Sequence, residues 1–364
     1  MLDRFVRLCE IPSPTGEERA VADAVLGELR DLGVEAAEDS AAVAARAAAG
    51  NLIARIPGER DAWVLFGCHL DTVPHDGPIE AVLDQGVYRS RGETILGADN
   101  KAAVTVLIEL AARYAHDPPP IGLEILFTVA EEDGLRGAKE LAPGSLRSPF
   151  GFVLDHASPI GEVITAAPTY KRLVAEFEGT EAHSGIRPED GRSAIAAAAA
   201  AIAAMRLGRL DPQTTANVGV ISGGTASNVV PGQCRIDGEA RSLDDEQASK
   251  AIGAMVDACT WAASEHECDV DIELREMFRG YRLPSSAASV RVASAALEGC
   301  GLEAREVATG GAESVRVAAA GFECVLLANG TEANHTPEER VAAERIVQML
   351  AVCEAIVEEA AGRC

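Results

Sequence analysis

The stretch Trp63-Val64-Leu65-Phe66-Gly67-Cys68-His69-Leu70-Asp71-Thr72-Val73-Pro74 decides how the rest of the chain is read. The apolar run Trp63 to Phe66 reads as a buried strand, which puts His69 and Asp71 at its end. Positions i and i+2 of a strand face the same side, so these two polar side chains share one face. A metal-ligating histidine usually gives its second ring nitrogen to a carboxylate, which fixes tautomer and ring orientation. His69 as ligand and Asp71 as its orienting partner meet that need. A histidine salt-bridged at a strand end fits the same spacing.

Outward from this strand, apolar runs and helical periodicity alternate. Ala20 to Leu32 reads as an amphipathic helix, preceded by the turn Pro12-Ser13-Pro14-Thr15-Gly16. Asn51 to Ile56 is a strand closed by the turn Pro57-Gly58. Lys101 to Tyr114 has the apolar spacing of a helix and is stopped by Pro118-Pro119-Pro120. Leu123 to Val129 and Phe152 to Leu154 are buried strands. This alternation predicts an α/β domain with a mixed, mostly parallel sheet flanked by helices. After Ala167-Pro168 the pattern changes. The strand Arg172 to Glu178, the alanine-rich helix Ser193 to Met205, the strands Asn217 to Ile221 and Gln233 to Ala240, the helix Gln247 to Glu265 and the strand Asp269 to Leu274 follow in turn. That β-α-β-β-α-β order is the order of a small α+β sandwich. From about Tyr281 the earlier alternation resumes, so residues 168–279 are read as inserted into a domain made of 1–167 plus 280–364. Ala41 to Ala49 reads as a surface loop or short helix without an assigned role.

Four further polar clusters accompany His69 and Asp71. Gly97-Ala98-Asp99-Asn100-Lys101 lies just ahead of a helix; Asp99 is placed to bridge two cations or to cap the helix. Ala130-Glu131-Glu132-Asp133-Gly134 follows a buried strand, and three adjacent acids repel unless cations or protons are near. Otherwise they form a solvated acidic loop. Asp155-His156 ends the strand Phe152 to Leu154, and Asn334-His335-Thr336-Pro337-Glu338-Glu339 follows the strand Val325 to Ala328. In open α/β sheets ligands gather outside the carboxyl ends of the strands, where all five clusters are expected. Two histidines and three carboxylates suit borderline cations such as zinc, cobalt or manganese.

Bulk properties narrow the remaining classes. A net charge of −25 argues against nucleic acid, whose phosphates demand a basic surface. Hydrophobic residues at 48% and charged residues at 24% describe a globular chain. No apolar run is long enough for a bilayer and no secretory signal is seen at the start, so a cytoplasmic location is expected. Nine cysteines without C-x-x-C spacing read as reduced, mostly buried thiols.

The runs GCHLDTVP, GADNKAAV, AEEDGLRGA, AHSG, SNVVPGQ with EARS, and NHTPEE correspond in order and spacing to the motifs of the M20 metallopeptidases, and the chain most resembles their peptidase T-like members. The resemblance implies a two-metal hydrolase that cleaves the amide bond of small peptides. A tripeptidase-like aminopeptidase is the leading expectation, in part because Asp rather than Glu stands at position 155. An N-acyl-amino-acid deacylase or carboxypeptidase of the same family is the alternative. A non-catalytic binding or dimerisation descendant would be expected to lack a ligand or the base, and none is missing. In this resemblance Asp99 bridges two divalent ions, most simply zinc, with cobalt or manganese as alternatives. His69 and Asp155 complete one site, and Glu132 and His335 the other. Glu131 is the general base that takes a proton from a water between the cations, and Asp71 orients His69. The Asp99–Asn100 peptide is expected to be cis. The inserted domain becomes a lid or dimerisation domain, and the protein a homodimer. From it His183, otherwise an ordinary loop histidine, reaches the partner's active site to stabilise the oxyanion. Asn228 and Arg241 contact the substrate, although Arg241 also has Asp244 and Asp245 within reach for a surface salt bridge. Gly311 lies in Gly310-Gly311-Ala312-Glu313, a loop that helps to hold the substrate terminus. There, and after His335, the sequence departs from the family's commoner pattern.

Overall fold

The computed structural model describes residues 1–142, 144–308 and 322–363; Gly311 and its neighbours lie outside the described residues. Chain contacts divide the described residues into two compact units, one of Met1–Thr165, Leu283–Ala308 and 322–363, the other of Ala166–Arg282. These breaks fall two or three residues from the pattern changes at 167/168 and 279/280.

In the first unit the four strands Ile121–Thr128, Arg60–His69, Phe150–His156 and Glu323–Ala328 lie side by side and parallel. Antiparallel strands extend them: Leu52–Ile56 and Glu35–Glu38 beyond Ile121–Thr128, and Glu162–Ala167 beyond Glu323–Ala328. Strands at the centre of such a sheet are covered on both faces and read as continuous apolar runs. Ile121–Thr128 is buried at every position. Its one charged residue, Glu124, is fully buried because both carboxylate oxygens accept hydrogen bonds. Oε1 takes Arg55 Nε at 2.9 Å, and Oε2 takes the amides of Arg147 and Ser148 and the Ser148 hydroxyl at 2.7–2.8 Å.

The helix Ala98–Tyr114 is buried almost all round, as its unbroken run from Lys101 to Ile108 requires. It is regular only from Lys101, since Asp99 and Asn100 have non-helical dihedrals and the peptide between them is cis. A small antiparallel sheet sets Ala81–Asp84, Val87–Ser90, Arg340–Ala342 and Thr331–Glu332 side by side. The segment leading to Asp99 and the loop bearing His335 therefore leave neighbouring strands. Ala42–Ala45 is a short helix.

The second unit is a five-stranded antiparallel sheet in the order Gly208–Asp211, Thr214–Gly223, Gln233–Ser242, Thr169–Glu178, Asp269–Phe278, covered by the helices Ala194–Ala204 and Asp245–Glu265. Alternation along Gln233–Ser242 turns Cys234, Ile236 and Ala240 inward. Ala194, Ala197, Ala198 and Ala201 form the buried stripe of the first helix, so alanine there permits close approach. Gly238 has the same purpose on the sheet, because a Cβ would fall 2.8 Å from Met255 Cε and 2.9 Å from the Asn217 carbonyl.

Among the described residues no helix is long and apolar enough to cross a membrane, and every described cysteine is a free thiol.

Hydrogen bonds to an ionised group are each worth about 1.5–3 kcal/mol. Glu124→Gln is therefore expected to lower stability by about 2–3 kcal/mol in urea melts while the circular dichroism of the native state is unchanged.

Candidate metal centre

Strand order explains which ligands meet. His69 ends the Arg60–His69 strand, between the strand leading to Glu131 and Glu132 and the strand that carries Asp155. Three donor segments are thus sheet neighbours. Asp99 enters from the start of the buried helix, and His335 from the loop between Thr331–Glu332 and Arg340–Ala342. Asp99 accordingly sits at a helix start and not at a strand end, in contrast to the uniform placement that the sequence pattern suggested.

The donors form two groups around one carboxylate. Asp99 Oδ1 lies 3.3 Å from His69 Nε2, which is also 3.3 Å from Asp155 Oδ1. Asp99 Oδ2 lies 3.2 Å from His335 Nε2, which is 2.9 Å from Glu132 Oε1. Donor atoms of His69, Asp99 and Asp155, and of Asp99, Glu132 and His335, all lie within 4.8 Å of one another. Tetrahedral arms of about 2.0–2.1 Å place ligand atoms roughly 3.3 Å apart, so these spacings are those of ligands around a cation. Glu132 Oε1 is buried and, despite the nearby imidazole, meets no donor with hydrogen-bond geometry. Such an orphaned oxygen is costly unless a cation takes its lone pair. The donor set and this oxygen both fit a pair of divalent ions. Asp99 does not cap the helix, where Gly97 is the N-cap and makes no side-chain cap bond.

Charges within the cluster respond to this crowding. Burial alone raises the Asp99 carboxyl, but hydrogen bonds from His335 and His69 hold it far below the usual carboxylate range. The adjacent carboxylates of Asp99 and Glu132 push His335 up to about 10. Burial works against protonation of His69, yet the charge of Asp155 and bonds to Asp155, Asp71 and Asp99 carry it well above the ordinary value.

Asp71 does more than the sequence suggested. The nearest acceptor to His69 Nδ1 is the Asp71 backbone carbonyl at 2.9 Å, with the carboxylate at 3.4 Å. The carboxylate instead accepts the Glu131 amide at 2.9 Å, the Glu132 amide at 3.1 Å and the Thr15 hydroxyl at 2.9 Å. The two preceding amides are held as well, Val129 by Asn51 Oδ1 and Ala130 by Glu18 Oε1. Every amide from Val129 to Glu132 thus ends on a side-chain oxygen, across a residue, Ala130, with φ of 49°. Glu131 lies within 4.8 Å of donor atoms of His69 and Glu132, whereas Asp133 turns away to Arg136 at 2.9 Å. His156 turns toward Glu162, 3.9 Å away.

Several supporting residues were not picked out by the sequence pattern. Buried Asn100 donates to Asp155 Oδ1 at 2.9 Å and to the Leu154 carbonyl at 2.8 Å. Lys101, 1% exposed, donates to the Leu70 carbonyl at 2.6 Å and to Ser13 Oγ at 2.7 Å, pinning the backbone between His69 and Asp71; burial pushes its pKa down. Glu339, also 1% exposed, accepts the amides of Leu96, Gly97 and Asp99, each at 2.8 Å. Burial pushes its carboxyl up to about 7 against those bonds.

His183, Asn228 and Arg241 belong to the second unit. His183 and Asn228 are neighbours, since Ala182–His183 pairs with Val229–Val230 and the Ser184 amide donates to the Asn228 carbonyl at 3.0 Å. Both side chains are exposed. Arg241 pairs with Glu239 through two bonds of 3.0 Å and stacks on Tyr170 at 4.3 Å. Asp244 caps the following helix and Asp245 binds Arg279, so neither is the partner that the sequence offered for Arg241.

Known proteins share this fold. Residues 51–165 match the model of peptidase family M28, and residues 168–267 match the M20 peptidase dimerisation domain. YqjE of Bacillus subtilis (strain 168), itself uncharacterized, is 34% identical over 99% of this chain and 98% of its own. The aminopeptidase PepT of Bacillus cereus ATCC 10987 superposes with a TM-score of 0.92 at 35% identity, covering 99% of this chain and 98% of that one. A tripeptidase of Staphylococcus aureus subsp. aureus Mu50 gives 0.95 at 30% identity with the same coverage. Fold and donor set together define a metal-dependent hydrolase. The chain belongs to the M20 metallopeptidases, among their peptidase T-like members.

Because Asp99 serves both donor groups, Asp99→Ala is expected to reduce bound divalent metal from two ions per chain to at most one. Elemental analysis of dialysed protein measures this, and two retained ions would show that Asp99 is not shared.

Proposed function

We propose that this chain is a tripeptidase-like aminopeptidase that hydrolyses small peptides at a dinuclear centre. The observation that carries the reading is the shared carboxylate, with Asp99 Oδ1 facing His69 at 3.3 Å and Asp99 Oδ2 facing His335 at 3.2 Å. Kinship with the aminopeptidase and the tripeptidase supports the substrate class. His69, Asp99 and Asp155 would hold one divalent ion, and Asp99, Glu132 and His335 the other. Nitrogen and oxygen donors favour zinc, with cobalt or manganese as alternatives. Two such ions would polarise the scissile carbonyl and bring the pKa of water toward neutrality.

The protein's own residues then have defined tasks. Glu131, whose amide is held by Asp71, takes the proton of the attacking water and returns it to the leaving amine. Glu131→Gln is expected to keep its metal and lose about 10²–10⁴-fold in kcat. Near-parental turnover would remove Glu131 from this role. Tripeptides, dipeptides and N-acetylated amino acids assayed side by side distinguish the aminopeptidase from a deacylase or carboxypeptidase.

The inserted unit pairs with that of a second copy, His183 serves the partner's centre, and Asn228 contacts the substrate. The match to a peptidase dimerisation domain supports this, as does an open sheet edge. Gly208–Asp211 pairs with the Thr214–Gly223 strand only over Thr214–Ala216, and Val220 and Ile221 farther along are 53% and 49% exposed. Arg241 and Gly311 are assigned to the substrate's polar end. His183→Ala is expected to lower kcat about 10²–10³-fold, as loss of an oxyanion donor does. If His183 acts across the dimer, mixed dimers of Glu131→Gln with His183→Ala regain activity, because one site then has both residues. Mixed dimers as inactive as their parents would exclude the exchange.

A further inference from the structure

Glu339 is a carboxylate sealed from solvent whose partners are backbone amides alone among its hydrogen bonds: Oε2 accepts from Leu96 and Gly97, and Oε1 accepts from Asp99, each at 2.8 Å. A negative group buried to 1% exposure is retained only where fixed donors replace its water. The three amides belong to the segment that presents Asp99, and one is the amide of Asp99 itself. On its other side Glu339 is bound covalently to the His335 loop, with its own amide donating to the Thr336 carbonyl at 3.1 Å. It also adjoins Arg340, where the chain rejoins the small sheet opposite Arg89. One side chain thus ties together the two segments whose donor atoms, Asp99 Oδ2 and His335 Nε2, stand 3.2 Å apart.

We propose that Glu339 is a positioning residue that sets the Asp99 segment against the His335 loop before any cation binds. Without it, Leu96, Gly97 and Asp99 would each leave a buried amide without its acceptor, and the segment would have to rearrange to satisfy them. Asp99 has to serve two donor groups at once, so a displacement of its backbone disturbs both. The inference rests on the dinuclear reading of the centre and adds a residue that touches neither ion nor substrate. Outer partners of metal ligands typically contribute about 10–100-fold to affinity, and a loss of that size is expected in Glu339→Gln, which keeps the shape but places an amide N–H₂ against N–H donors.

The test has three arms. Divalent cobalt titrated into metal-free protein, followed by visible absorption, gives the two affinities of the parent. If the parent takes up fewer than two ions, the dinuclear reading fails, whatever Glu339 does. Given two ions, Glu339→Gln is expected to bind at least one of them about 10–100-fold more weakly, with Glu339→Asp recovering part of the loss. Glu124→Gln, an equivalent lesion in a buried carboxylate midway along Ile121–Thr128, is expected to lower stability without changing either affinity. Affinities of Glu339→Gln within twofold of the parent would overturn the proposal and leave Glu339 as a fold-stabilising residue only. Hydrogen exchange on the metal-free parent needs no variant. The amides of Leu96, Gly97 and Asp99 are expected to be protected already, and protection that arises only on adding metal would show that the ions organise the segment, which also overturns it.

Discussion

Repulsion among carboxylates at one rim of the parallel strands is the constraint on which the rest of the first unit depends. Two carboxylates 4 Å apart repel by about 4 kcal/mol at the effective dielectric of a protein surface. Asp99, Asp155, Glu132 and Glu131 crowd two imidazoles in overlapping groups whose ligand atoms lie within 4.8 Å of one another. No arrangement of these groups is stable with all of them ionised and nothing positive among them. The same crowding raises the pKa values of His69 and His335. Divalent cations would relieve this repulsion, and they would also engage the orphaned oxygen of Glu132. The cluster is a site built around charges that the chain itself does not supply.

Holding that much repulsion in place requires the loops to be anchored from behind. Loops at the rim leave backbone amides without strand or helix partners, and buried amides must be paired. Here the partners are side-chain oxygens. Asn51, Glu18 and Asp71 take the amides from Val129 to Glu132, and Glu339 takes those around Asp99. Each anchor satisfies a polar group that would cost about 1–3 kcal/mol if left bare. Together they hold backbone that L-residues disfavour, at Ala130 with φ of 49° and His335 with φ of 65°. Stability and precision of the site therefore come from the same bonds.

This division accounts for what could be read in the sequence. Elements with a periodic apolar pattern were legible: the helix read as Ala20 to Leu32 is Arg19–Asp31, and the strand read as Leu123 to Val129 is Ile121–Thr128. The parallel centre of the sheet and the α+β order of the inserted unit followed from the same alternation. Strand ends were less visible, because Arg60–His69 and Asp269–Phe278 run on through polar residues that pair without being buried. Residues that touch the proposed cations come in recognisable motifs. The anchors do not, because a carboxylate that binds backbone amides looks in sequence like any other surface acid among fifty-seven. Arg241 shows the reverse difficulty. Its partner Glu239 is two residues back on the same face of the strand, whereas Asp244 and Asp245 belong to the next turn and helix.

The two donor groups also differ in what supports them, and the difference follows from topology. His69 and Asp155 end adjacent parallel strands, both are buried, and Asn100 and Lys101 brace them from the start of the central helix. His335 stands on a loop, 48% exposed, and is fixed relative to Asp99 through the small sheet and Glu339. Sheet strands move together, but a loop and a helix start can separate. The first group is therefore the rigid reference, and the geometry of the second depends on how firmly the Asp99 segment is tied. His335 is the exposed member of the second group, so the anchoring of Asp99 transmits the order of the sheet to the side of the site that solvent reaches.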